Sequence, residues 1–166
     1  MSADVAAYWD AQAATFDAEP DHGLTDPVVR GGRDRDAWTR LLVPLTPTAH
    51  ARVADVGSGT GSLAVLLAEA GHRVCGVDLA PRMVEMARAK AAAARVPASF
   101  DVGDASAPPW PAATFDVVLV RHVLWTLPDP WRRVGTLGGV VEARRSTGTR
   151  GGPLVDWRRS ARGSGN

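Results

Sequence analysis

The chain has 166 residues, 45% of them hydrophobic, and a formal net charge of +1, a size and balance that suit one globular domain. No apolar run reaches the roughly 18 residues of a membrane span, the start Met1-Ser-Ala-Asp-Val lacks the basic residues of a secretory leader, and a cytoplasmic location is expected. Cys75 is the sole cysteine, which excludes an internal disulfide, and no His, Cys, Asp and Glu spacing suggests a metal site.

From the N-terminus, Trp9 and Phe16 fall seven apart, the spacing of one buried helix stripe. Arg30-Gly-Gly-Arg-Asp-Arg-Asp36 reads as a solvated loop, and Ala37-Trp-Thr-Arg-Leu-Leu42 as a helix that packs on a sheet. The most informative stretch follows, Arg52-Val-Ala-Asp-Val-Gly-Ser-Gly-Thr-Gly-Ser62. Val53, Ala54 and Val56 make the continuous apolar run of a strand covered on both faces, and the glycines let the backbone turn tightly and approach a ligand. Leu63, Leu66, Leu67 and Ala70 then recur at helical spacing, with Gly71 placed as a C-terminal cap. Strand, glycine turn and helix together make a seat for a nucleotide-like cofactor, with Gly57, Ser58, Gly59 and Gly61 at its floor.

Two cofactor classes share this opening. A dinucleotide fingerprint wants G-x-G-x-x-G, but here the spacing is G-x-G-x-G and Ser62 stands where the last glycine belongs. Asp55, two residues before the first glycine, ends an apolar strand and needs donors, either the turn amides or the ammonium of an amino acid. Asp78 ends the next strand, Arg73 to Val77, where a carboxylate can accept from a ribose diol in either class.

Taken in order, these segments resemble a class I S-adenosylmethionine-dependent methyltransferase of the small-molecule, type 11-like kind. Asp55-Val-Gly-Ser-Gly-Thr-Gly61 resembles the family's first motif, and Val77-Asp78-Leu79-Ala-Pro-Arg-Met83 the ribose-binding acid and the helix whose early methionine packs near adenine. Asp101-Val-Gly103-Asp104-Ala105 resembles the third motif, in which Asp104 takes the adenine amino group and Ala105 offers an amide. Phe115-Asp-Val-Val-Leu-Val-Arg-His-Val-Leu-Trp125 resembles the fourth strand and the turn that faces the methionine part of the cofactor. Tyr8-Trp9-Asp10 and Thr15-Phe16-Asp17 resemble a leading helix folded over the cofactor, although Trp9 and Phe16 are equally explained as core.

The resemblance implies an α/β, Rossmann-like parallel sheet with flanking helices, S-adenosyl-L-methionine as cofactor, and a small-molecule methyl acceptor. His122 is the candidate general base, since it ends the fourth strand with a suitable unperturbed pKa. The plainer reading of His122, with Arg121, is contact with the cofactor carboxylate or with helix ends, for which Arg121 has the forked donors. A catalytically inactive cofactor-binding remnant and a nicotinamide-dependent oxidoreductase stand as alternatives.

The resemblance covers about residues 5 to 130. A helical cap is expected over residues 1–45, the cofactor-binding core over 46–130, and an arginine- and glycine-rich, unstructured tail over 131–166. That tail carries 8 arginines against Glu142 and Asp156, whereas residues 1–130 carry 11 Lys and Arg against 16 Asp and Glu. Phosphate binding by the tail is disfavoured, because only Trp131 and Trp157 offer aromatic platforms and no reader fold is recognisable. In the tail, Trp131-Arg-Arg-Val134 followed by Gly138-Gly-Val-Val141 faintly resembles the end of a helix and the glycine turn into a fifth strand, but the preceding helix is missing. Nothing after it resembles the rest of a seven-stranded methyltransferase sheet, so an incomplete fold is expected, through truncation or a shift of reading frame near Pro130. The fourth strand would then expose an open edge, an invitation to self-association.

Overall fold

The computed structural model describes residues 2–19, 22, 24, 33–121, 123, 136–143 and 155–157. Helices α1 (Ser2–Phe16) and α2 (Arg33–Leu42) precede the alternating unit β1 (Arg52–Val56), α3 (Ser62–Glu69), β2 (Arg73–Asp78), α4 (Pro81–Ala94) and β3 (Ala98–Val102). The chain then crosses to β4 (Val117–Arg121), β5 (Gly139–Ala143) and β6 (Val155–Trp157). All six strands lie in one sheet of order β3-β2-β1-β4-β5-β6, parallel except for the antiparallel pair β5–β6.

β1 is central, and its alternate residues enter two different cores. Val53 joins Leu63, Leu67, Val74 and Leu119 beneath α2, α3 and α4, whereas Ala54 and Val56 join Val77, Val118 and Val120 on the opposite face. A strand buried on both sides has no polar face to show, which is why its sequence runs apolar without alternation. α3 is buried from Ser62 to Ala68 and stops where expected: Gly71 adopts φ +97°, and His72 N donates back to Leu67 O at 3.2 Å. α4 starts on Pro81, and its early amide Arg82 N donates to Asp10 Oδ1 of α1 at 2.8 Å. Ala13 of α1 packs there on Ala80 and Met83, with Trp9 and Phe16 at the margin.

The α/β class with a parallel sheet and flanking helices is as expected, but the sheet is less incomplete than the sequence suggests. β5 and β6 arise from the stretch read as an unstructured tail. β5 pairs with β4 along Val117–Arg121, so the open β4 edge on which self-association was to rest is covered. Two backbone bonds tie its approach to the loop before β4, Ala113 N to Thr136 O at 2.8 Å and Phe115 N to Leu137 O at 3.0 Å, and Leu137 is buried with Phe115 and Val118. A five-residue parallel strand is held by main-chain bonds to a neighbour distant in sequence, and it leaves little periodicity to read. Among the described residues no helix is long and apolar enough to cross a membrane.

Gly138 sits so close to the Phe115 carbonyl that an added Cβ would overlap it. Since a backbone atom cannot rotate aside, Gly138→Ala is expected to lower the unfolding free energy by about 1–3 kcal/mol in urea titrations. An unchanged midpoint would mean that β5 does not dock on β4 in this way.

Candidate functional site

Chain order reverses at β1: β2 and β3 extend the sheet to one side, and β4 and β5 to the other. The crevice outside the carboxyl ends of β1 and β4 is therefore the place where an open α/β sheet binds its ligand. The glycine turn occupies it. Gly57, Gly59 and Gly61 take φ +75°, +52° and +74°, values that other L-residues adopt only with strain. A side chain at Gly57 would strike Val123 just past β4, one at Gly61 would lie 2.8 Å from the Ala87 Cβ, and a Cβ at Gly59 would lie 3.5 Å from the Phe16 ring.

The turn is held by the protein's own hydrogen bonds. Gly57 N and Ser58 N both donate to Val77 O, at 2.8 and 3.0 Å, Gly61 N donates to Ser58 O at 2.9 Å, and Gly59 N donates to Asp78 Oδ2 at 2.8 Å. The sequence suggested amides offered to a ligand, but these four are engaged within the protein. What the glycines supply is close approach, a smooth floor without side chains. Ser58 Oγ is buried with no hydrogen-bond partner among the described residues, its Cβ lying 3.0 Å from where a Cβ at Gly76 of β2 would stand.

Three carboxylates gather at this end of the sheet. Asp55 is 3% exposed, and burial pushes its pKa from 3.8 to about 7 despite the opposing pull of Arg121; Asp78 adds to the rise. Registry explains the coupling. Asp55 pairs with Leu119, and Arg121 lies two residues further along the same face of β4. Asp78 is raised as well, chiefly by burial, while the amides of Ala80, Gly59 and Leu79 hold its ionised form. Gly103 N donates to the Asp78 main-chain carbonyl at 2.9 Å, so the segment after β3 is tied to the end of β2, and Asp104 Oδ1 accepts from Ser106 N at 2.7 Å.

Other expected residues land differently. Met83 is 1% exposed and packs on Ala13 and Ala80 beneath α1, so helix docking is its evident work. Ala105 is buried in the second core with Val77 and Phe115. The Arg121 guanidinium lies 4.8 Å over the Trp38 ring, and Nη1 donates to His22 O at 3.5 Å. His122 and Trp125 lie outside the described residues. Cys75, the sole cysteine, is half-buried against the second core, with the Ser99 hydroxyl 3.5 Å from its sulfur. Sequence reasoning missed a cluster behind the turn, formed by Asp17, Thr60, Ser62 and Lys90.

Residues 54–142, from β1 through β5, match the methyltransferase domain. The chain belongs to that family. It is 35% identical over 125 residues to a demethylmenaquinone methyltransferase of Thermus thermophilus, covering 74% of this chain and 56% of that protein. A 27-O-demethylrifamycin SV methyltransferase of Amycolatopsis mediterranei is 34% identical over 127 residues, covering 75% of this chain and 42% of the relative. The chain thus spans about half the length of the curated relatives it matches. Among solved structures, the [4+2]-cyclase SpnF matches at TM-score 0.71 with 22% identity, over 90% of this chain and 63% of that one. Geranyl diphosphate C-methyltransferase from Streptomyces coelicolor A3(2) matches at TM-score 0.68 with 17% identity, over 86% and 63% of the two chains. At such identities these structures speak for the fold alone.

A carboxyl whose folded pKa lies near 7 costs stability. Above pH 3.8 the unfolded chain gives up the Asp55 proton while the native protein keeps it, so native stability falls as pH rises until about 7 and is level beyond. Relative to Asp55→Asn, the wild type should lose up to about 1.4 kcal/mol per pH unit across that window in urea unfolding. A difference that stays constant with pH would show that Asp55 is ionised in the native protein.

Proposed function

We propose that this chain binds S-adenosyl-L-methionine at the crevice between β1 and β4 and is part of, or the whole of, an enzyme that transfers the methyl group to a small organic acceptor. The observation that carries the reading is that Asp55, Asp78 and Asp104 stand at the carboxyl ends of the adjacent strands β1, β2 and β3, with Asp78 bonded to the glycine turn, in a chain of the methyltransferase domain family. A cofactor with a diol, an ammonium and an adenine offers donors that match three acceptors so placed. The sugar would replace the Gly59 amide or share with it at Asp78, and the ammonium would draw Asp55 into its ionised form.

The bound cofactor supplies a methyl already activated on a sulfonium: as the acceptor's lone pair forms the new bond, the carbon–sulfur bond breaks and S-adenosylhomocysteine leaves. What remains for the protein is positioning and the exclusion of water. The turn fixes one end of the cofactor, α1 with Phe16 covers the glycine floor, and an aromatic face near the cation is worth about 0.5–2 kcal/mol. Arg121, anchored over Trp38, is the candidate for the cofactor carboxylate. His122, the next residue after β4, is the candidate base where the acceptor must lose a proton. The relatives named above act on quinone and rifamycin precursors, which supports a small-molecule acceptor here.

Titration calorimetry with S-adenosylhomocysteine and with NADH tests the cofactor. Binding of the former alone is expected, tightening as pH rises through about 7 as Asp55 ionises. Asp78→Asn should weaken it by about tenfold or more, the loss of one charge-assisted bond pair. Preference for NADH would overturn the reading in favour of an oxidoreductase. Transfer of radiolabelled methyl to quinone-like or polyketide-like phenols then separates an enzyme from a cofactor-binding module, which would bind without turnover.

A further inference from the structure

Lys90 is the only lysine among 19 basic residues. It stands on the stripe of α4 that carries Met83 and Met86 against α1, and its ammonium uses all three protons. Nζ donates to Ser62 Oγ at 2.7 Å, Asp17 Oδ2 at 2.8 Å and Thr60 Oγ1 at 3.2 Å. The two hydroxyls in turn donate to Asp17 Oδ1, at 2.5 Å from Thr60 and 3.2 Å from Ser62. The result is a closed ring of four side chains, drawn from the end of α1, the glycine turn, the start of α3, and α4. Its ion pair is largely shielded, with side chains 22% and 20% exposed.

Three acceptors spread around a single nitrogen suit an ammonium, whereas the flat guanidinium of arginine directs its donors outward in one plane. The ring joins two residues that adjoin the mouth. Asp17 follows Phe16, the side chain that lies over Gly59, and Thr60 follows Gly59 itself. At the opposite end of the contact, Asp10 holds α1 to the Arg82 amide independently. Loss of the Lys90 ring would therefore free the Phe16 end of α1 while the helix stays docked.

We propose that Lys90 and Asp17 form a latch, a pair of positioning residues that holds Phe16 across the glycine turn and sets how fast bound cofactor leaves. The inference rests on the cofactor reading given under Proposed function. Cofactor bound beneath Phe16 can depart only after the latch opens, so the ring governs dissociation more than association.

Stopped-flow binding of S-adenosylhomocysteine to the full chain tests this. Lys90→Met should raise the dissociation rate about tenfold, the scale of a charged hydrogen-bond set, with a much smaller change in the association rate. Lys90→Arg should behave like Lys90→Met, since charge is kept but the three-way geometry is lost. A packing role alone would lower the melting temperature of both variants and leave the dissociation rate as it was, and that result overturns the latch. A second measurement needs no variant. Because the chain has one lysine, an amine-reactive ester read by peptide mass spectrometry reports latch opening directly, and saturating S-adenosylhomocysteine should slow the modification of Lys90 severalfold. Equal labelling rates with and without ligand, where calorimetry shows binding, likewise overturn the latch. Failure of the wild type to bind S-adenosylhomocysteine at all would instead overturn the cofactor reading, and the gating with it.

Discussion

The end of β2 holds the turn that follows β1. Val77 O accepts two consecutive amides of the turn, Gly57 and Ser58, and the Asp78 carboxylate takes a third, Gly59. These bonds force the left-handed glycine conformations, draw β1 and β2 into register up to their last residues, and place the start of α3 over the crevice. They also decide what kind of seat the turn is. With its early amides engaged, the floor is rigid and uncharged, and recognition passes to the carboxylates on its rim. Rigidity matters because a ligand that must be aligned for in-line displacement gains nothing from a floor that reorganises on binding.

Those carboxylates are held against their own solvation. Burial raises both Asp55 and Asp78, with Asp78 adding to the rise at Asp55 and Asp10 to the rise at Asp78, so the protein carries acids in a place where apolar side chains would give a more stable fold. Arg121 offsets part of this for Asp55. Its guanidinium is kept in place by the Trp38 ring, which belongs to α2 rather than to the sheet. A residue of the N-terminal segment thereby steadies the charge at the end of β4, and the helices before β1 contribute to the site as well as covering it.

Much of this was legible in the sequence wherever a residue type is demanded by backbone geometry. Positive φ requires glycine at 57, 59, 61 and 71, and those positions drew the strand–turn–helix unit correctly. Buried acids at strand ends were equally visible, because Asp55 and Asp78 interrupt apolar runs. Interactions between side chains distant in sequence left no such mark. Asp17 is 43 residues from Thr60 and 73 from Lys90, and nothing local distinguishes any of them from a solvated polar residue. Only the rarity of lysine singled out Lys90, and composition alone explains rarity without chemistry. β5 was legible only faintly, in Gly138-Gly-Val-Val141, for a related reason. Its bonds go to β4 across an intervening segment, and a five-residue strand in an arginine- and glycine-rich context shows no period.

The strand order divides the sheet into two halves at β1. On one side of the reversal at β1 stand β2, β3, α3 and α4, which carry Asp78, Asp104, the glycine turn and Lys90. On the reading proposed above, that side is the one that would hold the cofactor. On the other side stand β4 and β5, with Arg121 at the junction, and what is built beyond them is free to vary without disturbing the first half. A fold divided in this way can keep its cofactor seat while the reaction above it changes. On the same reading, the choice of acceptor would fall to α1, α2 and the residues after β4, because the chemistry of the turn serves the cofactor alone.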